Sequence, residues 1–203
     1  GDVNVRHFVT IEEGLQKAGF EITTKKWLDD YDALLVRRRA EFVGQVQEEA
    51  RQLGVNPVMY CMGKVMPEPE YEFALDAEGE LAVYALARIS GEGADRTMVA
   101  GDISLSETEI RDILALNKKY DKFVLVLNVG GMVDLEPVID VKNVLLLGQL
   151  GTPTGDVLAD LLLGKSYPSG KLAMTWAPIG KYASTKGFGD MDDTLYTEGI
   201  YVG

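Results

Sequence analysis

Cysteine and histidine are almost missing from these 203 residues: Cys61 and His7 are the only ones. A lone cysteine excludes an internal disulfide and any cysteine-based metal cluster. It suits a reducing compartment without excluding an oxidising one, so the compartment stays open, with the cytoplasm slightly favoured. A lone histidine leaves a histidine-based metal site without ligands. A Ser-His-Asp triad would have to recruit His7, far in sequence from any strand-end serine. Positive charge is scarce as well: 20 Lys and Arg against 32 Asp and Glu give a net charge of -12. That balance argues against nucleic acid as a partner, because the phosphate backbone is gripped by clustered cations. The one basic run, Arg37-Arg38-Arg39, falls in a helical stretch and reads as a solvated face. No apolar run reaches the ~18 residues needed to span a bilayer, so no membrane partner is expected. No signal-peptide pattern opens the chain. It starts "GDVNVRHFVT" without a methionine, and the expectation is a fragment whose true start lies upstream.

Several motifs are absent too. There is no G-x-G-x-x-G and no G-x-x-x-x-G-K-[ST], so the dinucleotide and Walker signals are missing. "GTPTGD", Gly151 to Asp156, opens a helix, but Asp156 would repel a phosphate there. No G-x-S-x-G elbow occurs. The acidic "GDMDD" from Gly189 does not match calcium-loop spacing and reads as a solvated turn. No cofactor and no metal are expected.

What is present is ordinary globular composition, 46% hydrophobic and 26% charged. Thr10 begins a capping pattern for the helix "IEEGLQKAG", which Gly19 ends. "FEITTKKW" alternates like a short strand. Residues 28–53 keep helical spacing up to Gly54. Residues 55–80, with several prolines and no clear period, read as a long surface excursion. Beyond it come four apolar strand-like runs, "ELAVYALARIS", "KFVLVLNVG", "NVLLLGQLG" and "KLAMTW". Between them lie helical stretches opening at Ser106, Asp134 and near Thr154. This alternation predicts an α/β, doubly wound, mostly parallel sheet sandwiched between helices, with an antiparallel edge strand. Residues 1–203 form one such domain in this reading. Ligands are expected just beyond the carboxyl ends of the strands.

Three strand ends carry glycines: "SGEGADR", "NVGG" and "GQLGTPTGD". The last two need only be crossover turns. The first is different, because Glu92 stands alone between Gly91 and Gly93. A carboxylate there can swing into a neighbouring cavity and act as acid or base. It can equally be an exposed acid on a bare loop, and the pattern leaves both readings open.

Six stretches taken together resemble the family 3 glycoside hydrolases, the β-glucosidase family. They are "GDVNVRHFVTIEEGL", "AGFEI", "ARISGEGADR", "VLVLNVGGMVDL", "NVLLLGQLGTPTGDVLADLLLGKSYPSGKLAMTWA" and "YTEGIYVG", in the family's order. The resemblance is to the α/β-sandwich domain that accompanies a (β/α)8-like barrel. It implies a retaining hydrolase in which a barrel aspartate attacks the sugar and a sandwich-domain glutamate is general acid/base. Glu92 matches that glutamate. The nucleophile's "SDW"-like motif does not occur here, so the resemblance leaves the nucleophile outside this chain and the isolated chain inactive. It implies a β-glucoside or related oligosaccharide as substrate and the enzyme's own barrel as partner. Retention needs the two carboxyls about 5–5.5 Å apart, here across a domain interface. Asp95 and Arg96, beside Glu92, become candidate substrate contacts. Many members place Tyr or Phe where this chain has Ala94, and Tyr60 and Tyr71 are candidate substitutes. The resemblance also makes Gly1 the last glycine of a "GGGSG"-like loop, with the first strand missing before it. A non-catalytic carbohydrate-binding or interaction module on the same fold is the alternative.

Overall fold

The computed structural model describes residues 7–89, 96–181 and 200. The core of the sheet is the strand Phe123–Asn128, flanked on one side by Ala82–Ala87 and on the other by Val144–Leu146. These are β2, β1 and β3, and both pairings are parallel, Leu125 facing Tyr84 and Val144. The continuous apolar run of β2 follows from its place: alternate residues must bury on opposite faces. Phe123, Leu125 and Leu127 join the cluster containing Leu86, Ile113 and Val138, while Val126 joins Leu147 and Leu158.

Helices cover both faces. On the first lies α4, Glu107–Lys119, with a complete capping box. The Ser106 side chain accepts from the Glu109 amide at 3.1 Å, and Glu109 accepts from the Ser106 amide at 2.8 Å. On the second lie α1, Ile11–Lys17, and α5, Thr154–Leu162. Thr10 caps α1 as its position suggests, accepting from the Glu13 amide at 3.1 Å. The two helices cross through glycine. A Cβ on Gly14 would lie 2.1 Å from the Gly155 carbonyl carbon, and one on Gly155 would lie 1.9 Å from the Thr10 oxygen. Nearby, Val9 donates to Thr152 and the Gly155 amide to Val9. "GTPTGD" is thus a seat for the α1 end of the chain.

The α/β architecture with helices on both sides agrees with the expected class. Some elements differ. "FEITTKKW" is no strand: a turn at Thr23 and Thr24 leads into α2, Lys25–Leu53, which takes the last three residues. Trp27 and Tyr31, four apart on that helix, stack at 5.3 Å, a contact only helical spacing permits. "KLAMTW" carries no strand, and no antiparallel pair occurs among the described residues. Its apolar residues do not alternate into the core, since Leu172 and Met174 are exposed and only Trp176 packs against it. "DLEPVID" tightens to one 3-10 turn, Glu136–Val138.

Residues 55–80 are only partly surface. They contain a short helix α3, Pro57–Cys61, capped by Asn56, and then turn back onto the body. Tyr71 is buried, packed edge-on against Trp27 and Tyr31 and beside Phe73. Glu70 accepts from the Glu107 and Thr108 amides at 3.0 and 2.9 Å, placing a carboxylate at the positive end of α4.

Candidate active site

The strand ends meet where a parallel sheet places its ligands. β1 finishes at Ala87, and the next residue, Arg88, turns its side chain inward. Arg88 is buried; Nη1 and Nη2 donate to the two carboxylate oxygens of Glu109, each at 2.7 Å. Its Nε donates to the backbone carbonyl of Asp102 at 2.7 Å. A planar guanidinium suits this task because its fork matches a carboxylate while the third edge remains free.

Arg96, eight residues further on, bonds the same residue, Asp102. Arg96 Nε donates to Asp102 Oδ1 at 2.8 Å, and the Thr97 amide and hydroxyl donate to Asp102 Oδ2 at 2.6 and 3.0 Å. Arg96 Nη1 reaches the Met132 carbonyl at 2.5 Å, tying this point to the turn after β2. Partial burial pushes the Asp102 carboxyl up, but the Thr97 amide, Arg96 and the Thr97 hydroxyl outweigh it and hold it below the usual range. Asp102 therefore grips both flanks of the "SGEGAD" segment, one with its carbonyl and the other with its carboxylate.

The excursion backs this turn. Gly101 sits at φ 83°, a conformation open to glycine, and a Cβ there would lie 2.6 Å from the Glu68 nitrogen. The Glu68 amide donates to the Gly101 carbonyl at 2.9 Å, and the Tyr31 hydroxyl donates to its carboxylate. Burial is the main reason the Glu68 carboxyl is raised, with Glu109 adding to it and Tyr31 and Arg88 opposing.

The candidate residues fall into distinct places. Glu92 and Asp95 lie outside the described residues. Arg96 lies near the end of β1, with Nε and Nη1 bonded within the protein and Nη2 buried without a partner among the described residues. Tyr71 is a packing residue, its hydroxyl 3.5 Å from that of Tyr84. Tyr60 belongs to α3: its hydroxyl donates to Glu49 of α2 at 3.3 Å, and Lys64 lies over its ring. Among the described residues no cluster of His, Cys, Asp and Glu is arranged to hold a metal ion. A cleft of about 2180 Å³ runs between α2, residues 64–81 and β1, and reaches Arg88, Thr97 and Asp102 at one end. Ligand pockets are commonly about 300–1,000 Å³, so this is a gap between elements rather than a shaped sugar site.

Asp102 and Glu109 were not among the residues the sequence singled out. Glu109 had a signal, the S-x-x-E spacing from Ser106. Asp102 had none, because its partners are brought to it only by the fold.

The fold defines an α/β-sandwich domain, with Arg88, Arg96 and Thr97 gathered on Asp102 near the end of β1. Residues 1–203 match the glycosyl hydrolase family 3 C-terminal domain, and the chain belongs to that family. Beta-glucosidase A of Butyrivibrio fibrisolvens is 30% identical over 230 residues, covering all of this chain and 26% of that protein. A beta-glucosidase of Ruminococcus albus is 32% identical over 206 residues, covering 100% of this chain and 21% of its own length. Among solved structures, a beta-glucosidase from Paenibacillus barengoltzii superposes with a TM-score of 0.75 at 25% identity, over 100% of this chain and 22% of that one. Beta-glucosidase 3B from Thermotoga neapolitana in complex with glucose gives 0.67 at 26% identity, over 100% and 28%. The chain thus spans about a quarter of the length of the relatives it matches.

Proposed function

We propose that this chain supplies Glu92 as the general acid/base of a retaining β-glucosidase-type hydrolase. The observation that carries this reading is the position of "SGEG": directly after β1, between two arginines fastened to Asp102, in a domain of the family above. In the first step a carboxylate on another domain attacks the anomeric carbon, and Glu92 donates its proton to the departing glycosidic oxygen. In the second, the Glu92 carboxylate takes a proton from water as that water displaces the enzyme carboxylate. The other domain is a barrel carrying the nucleophilic aspartate, and the substrate is a β-glucoside or related oligosaccharide. The sandwich domain's share is to present the acid and hold its loop.

The test is Glu92→Ala in the full-length protein that carries this domain. Hydrolysis of cellobiose should fall by about 10²–10⁴-fold, the usual worth of a positioned general acid or base. Azide should restore turnover of an aryl glucoside with a good leaving group, giving the glucosyl azide. An unchanged rate removes Glu92 from the role. It would favour the non-catalytic module, which titration of the protein with glucose and cellobiose would then reveal.

A further inference from the structure

We propose that the edge of β1 is a slot for one more parallel strand, apolar on both faces, which the full-length protein supplies from immediately upstream of Gly1. Among the described residues β1 is an outer strand of the sheet. The Ala82 amide donates to the Lys122 carbonyl and the Arg88 amide to that of Asn128. Bonding in a parallel ladder alternates residue by residue, so Val83, Ala85 and Ala87 aim their amides away from β2. These three amides have no partner among the described residues. Yet β1 is not built as an edge. Exposed edges are blunted by charge, proline or a bulge. "AVYALA" has none of these and is apolar on both faces, as interior parallel strands are.

The cleft beside β1 has the room and the lining for a strand. Its apolar walls fall on both sides of the sheet. Tyr71, whose hydroxyl meets that of Tyr84, stands with Trp27 on the α4 side. Ile11 and Leu162, which pack with Val83 in the second cluster, stand on the α1 and α5 side. A six-residue strand fills about 20 by 4.8 by 10 Å, roughly 950 Å³, well within the cleft of about 2180 Å³.

The connections fix where that strand comes from. Helix α4 carries the chain from β1 to β2 over one face, and α1 lies on the other. Crossovers between parallel strands are right-handed, so a passage over the opposite face travels away from β2. A strand feeding α1 therefore lies on the β2 side of the segment that α1 leads into, residues 20–22. Phe20 and Ile22 line the cleft, which leaves the strand's place between them and β1. Its direction agrees as well. The Val9 amide bonds the Thr152 carbonyl, beyond the end of β3, so the chain enters α1 at the carboxyl ends of the strands. The relatives are long enough to hold such a strand, since this chain spans 26% and 21% of two of them.

The experiment measures amide hydrogen exchange in the full-length protein. The Val83, Ala85 and Ala87 amides should exchange about 10³-fold or more slower than in an unstructured peptide, like the Tyr84 and Leu86 amides that face β2. Exchange at unstructured rates at those three positions, with Tyr84 and Leu86 protected, overturns the proposal. The occupant is identified by photoleucine, a diazirine amino acid, in place of Val83, irradiated in the folded full-length protein. Cross-links should run to the chain just upstream of Gly1, and within one molecule when isotopically labelled and unlabelled protein are mixed. Cross-links only to other segments, only between molecules, or none at all, overturn it. If thermal melting shows that Val83→photoleucine does not fold, Ala85→photoleucine, at an exposed position, gives the same reading.

Discussion

The guanidinium of Arg88 lies edge to edge with the carboxylate of Glu109, two bonds of 2.7 Å with both side chains buried. The same carboxylate closes the capping box of α4, so a single acid ends a strand and begins a helix. A buried pair of this kind adds little over apolar packing, because both ions give up their water. Losing one partner is costly, since the other charge stays behind.

Glu109→Ala should therefore destabilise the domain by about 3–5 kcal/mol, the range for breaking a buried pair. At about 2–4 °C per kcal/mol in a chain of this size, the melting temperature should fall by roughly 10 °C. Replacing both residues, Arg88→Met with Glu109→Leu, should cost less than the sum of the single changes. Additive losses in a double-mutant cycle would show that the two side chains do not act as a pair.

Gly155→Ala tests the helix crossing. Its Cβ would meet backbone, the Thr10 carbonyl oxygen at 1.9 Å, and no rotamer change relieves such a contact. Destabilisation of about 1–3 kcal/mol or more is expected, as in other overpacked sites. Gly44→Ala on the exposed side of α2, where nothing lies within 4 Å, should instead be neutral or stabilising. Denaturant melts of the two variants read the contrast directly.

Glu68 sets one pH dependence. Its carboxyl is raised above the unfolded value, chiefly by burial. Its folded form therefore holds its proton longer, and the stability it contributes is full below about pH 4.3 and lost as pH rises through the folded value. Glu68→Gln keeps an acceptor for the Tyr31 hydroxyl and removes the ionisation. The variant should gain on the parent as pH rises from 4 towards neutrality, seen as a diverging pair of melting curves. Parallel curves would show that Glu68 does not titrate differently on folding.

Asp102 has the opposite sign. Burial opposes its ionisation, but the bonds from Thr97 and Arg96 prevail and depress its carboxyl. Its contribution is present above about pH 3.9, the unfolded value, and disappears as pH falls through the lower folded one. Asp102→Asn should thus lose stability against the parent at neutral pH and converge with it in strong acid. A gap that persists at pH 2 would contradict this.

The parallel sheet was legible because β2 is apolar on both faces, and a strand covered on both sides has no polar alternative. Thr10 and Ser106 were legible because caps are local: the side chain bonds an amide three residues away. "FEITTKKW" misled for the same reason. Its alternation is real over a few residues, but Trp27 finds Tyr31 one turn on and Tyr71 far along the chain, and those contacts select the helix. Tyr71 was a candidate substitute for the aromatic missing at Ala94, because nothing near it in sequence announces the cluster it completes. Glu92 stood out in the sequence through its bare glycine neighbours and through resemblance, and it lies outside the described residues. The Asp102 clasp was not, since an aspartate in "GDIS" has no pattern until Arg88 and Arg96 converge on it.

The crossing of Gly14 and Gly155 bears on the order in which the molecule can be completed. More than half of the chain lies between the two glycines, and a ribosome delivers α1 long before α5. Until α5 exists, Ile11 lacks the Leu158 cluster it packs against and the "GTPTGD" seat for Val9 has not been made. Among the described elements, α1 must therefore wait for α5. Contacts so distant in sequence are slow to close, and docking of α1 is expected among the final events of folding.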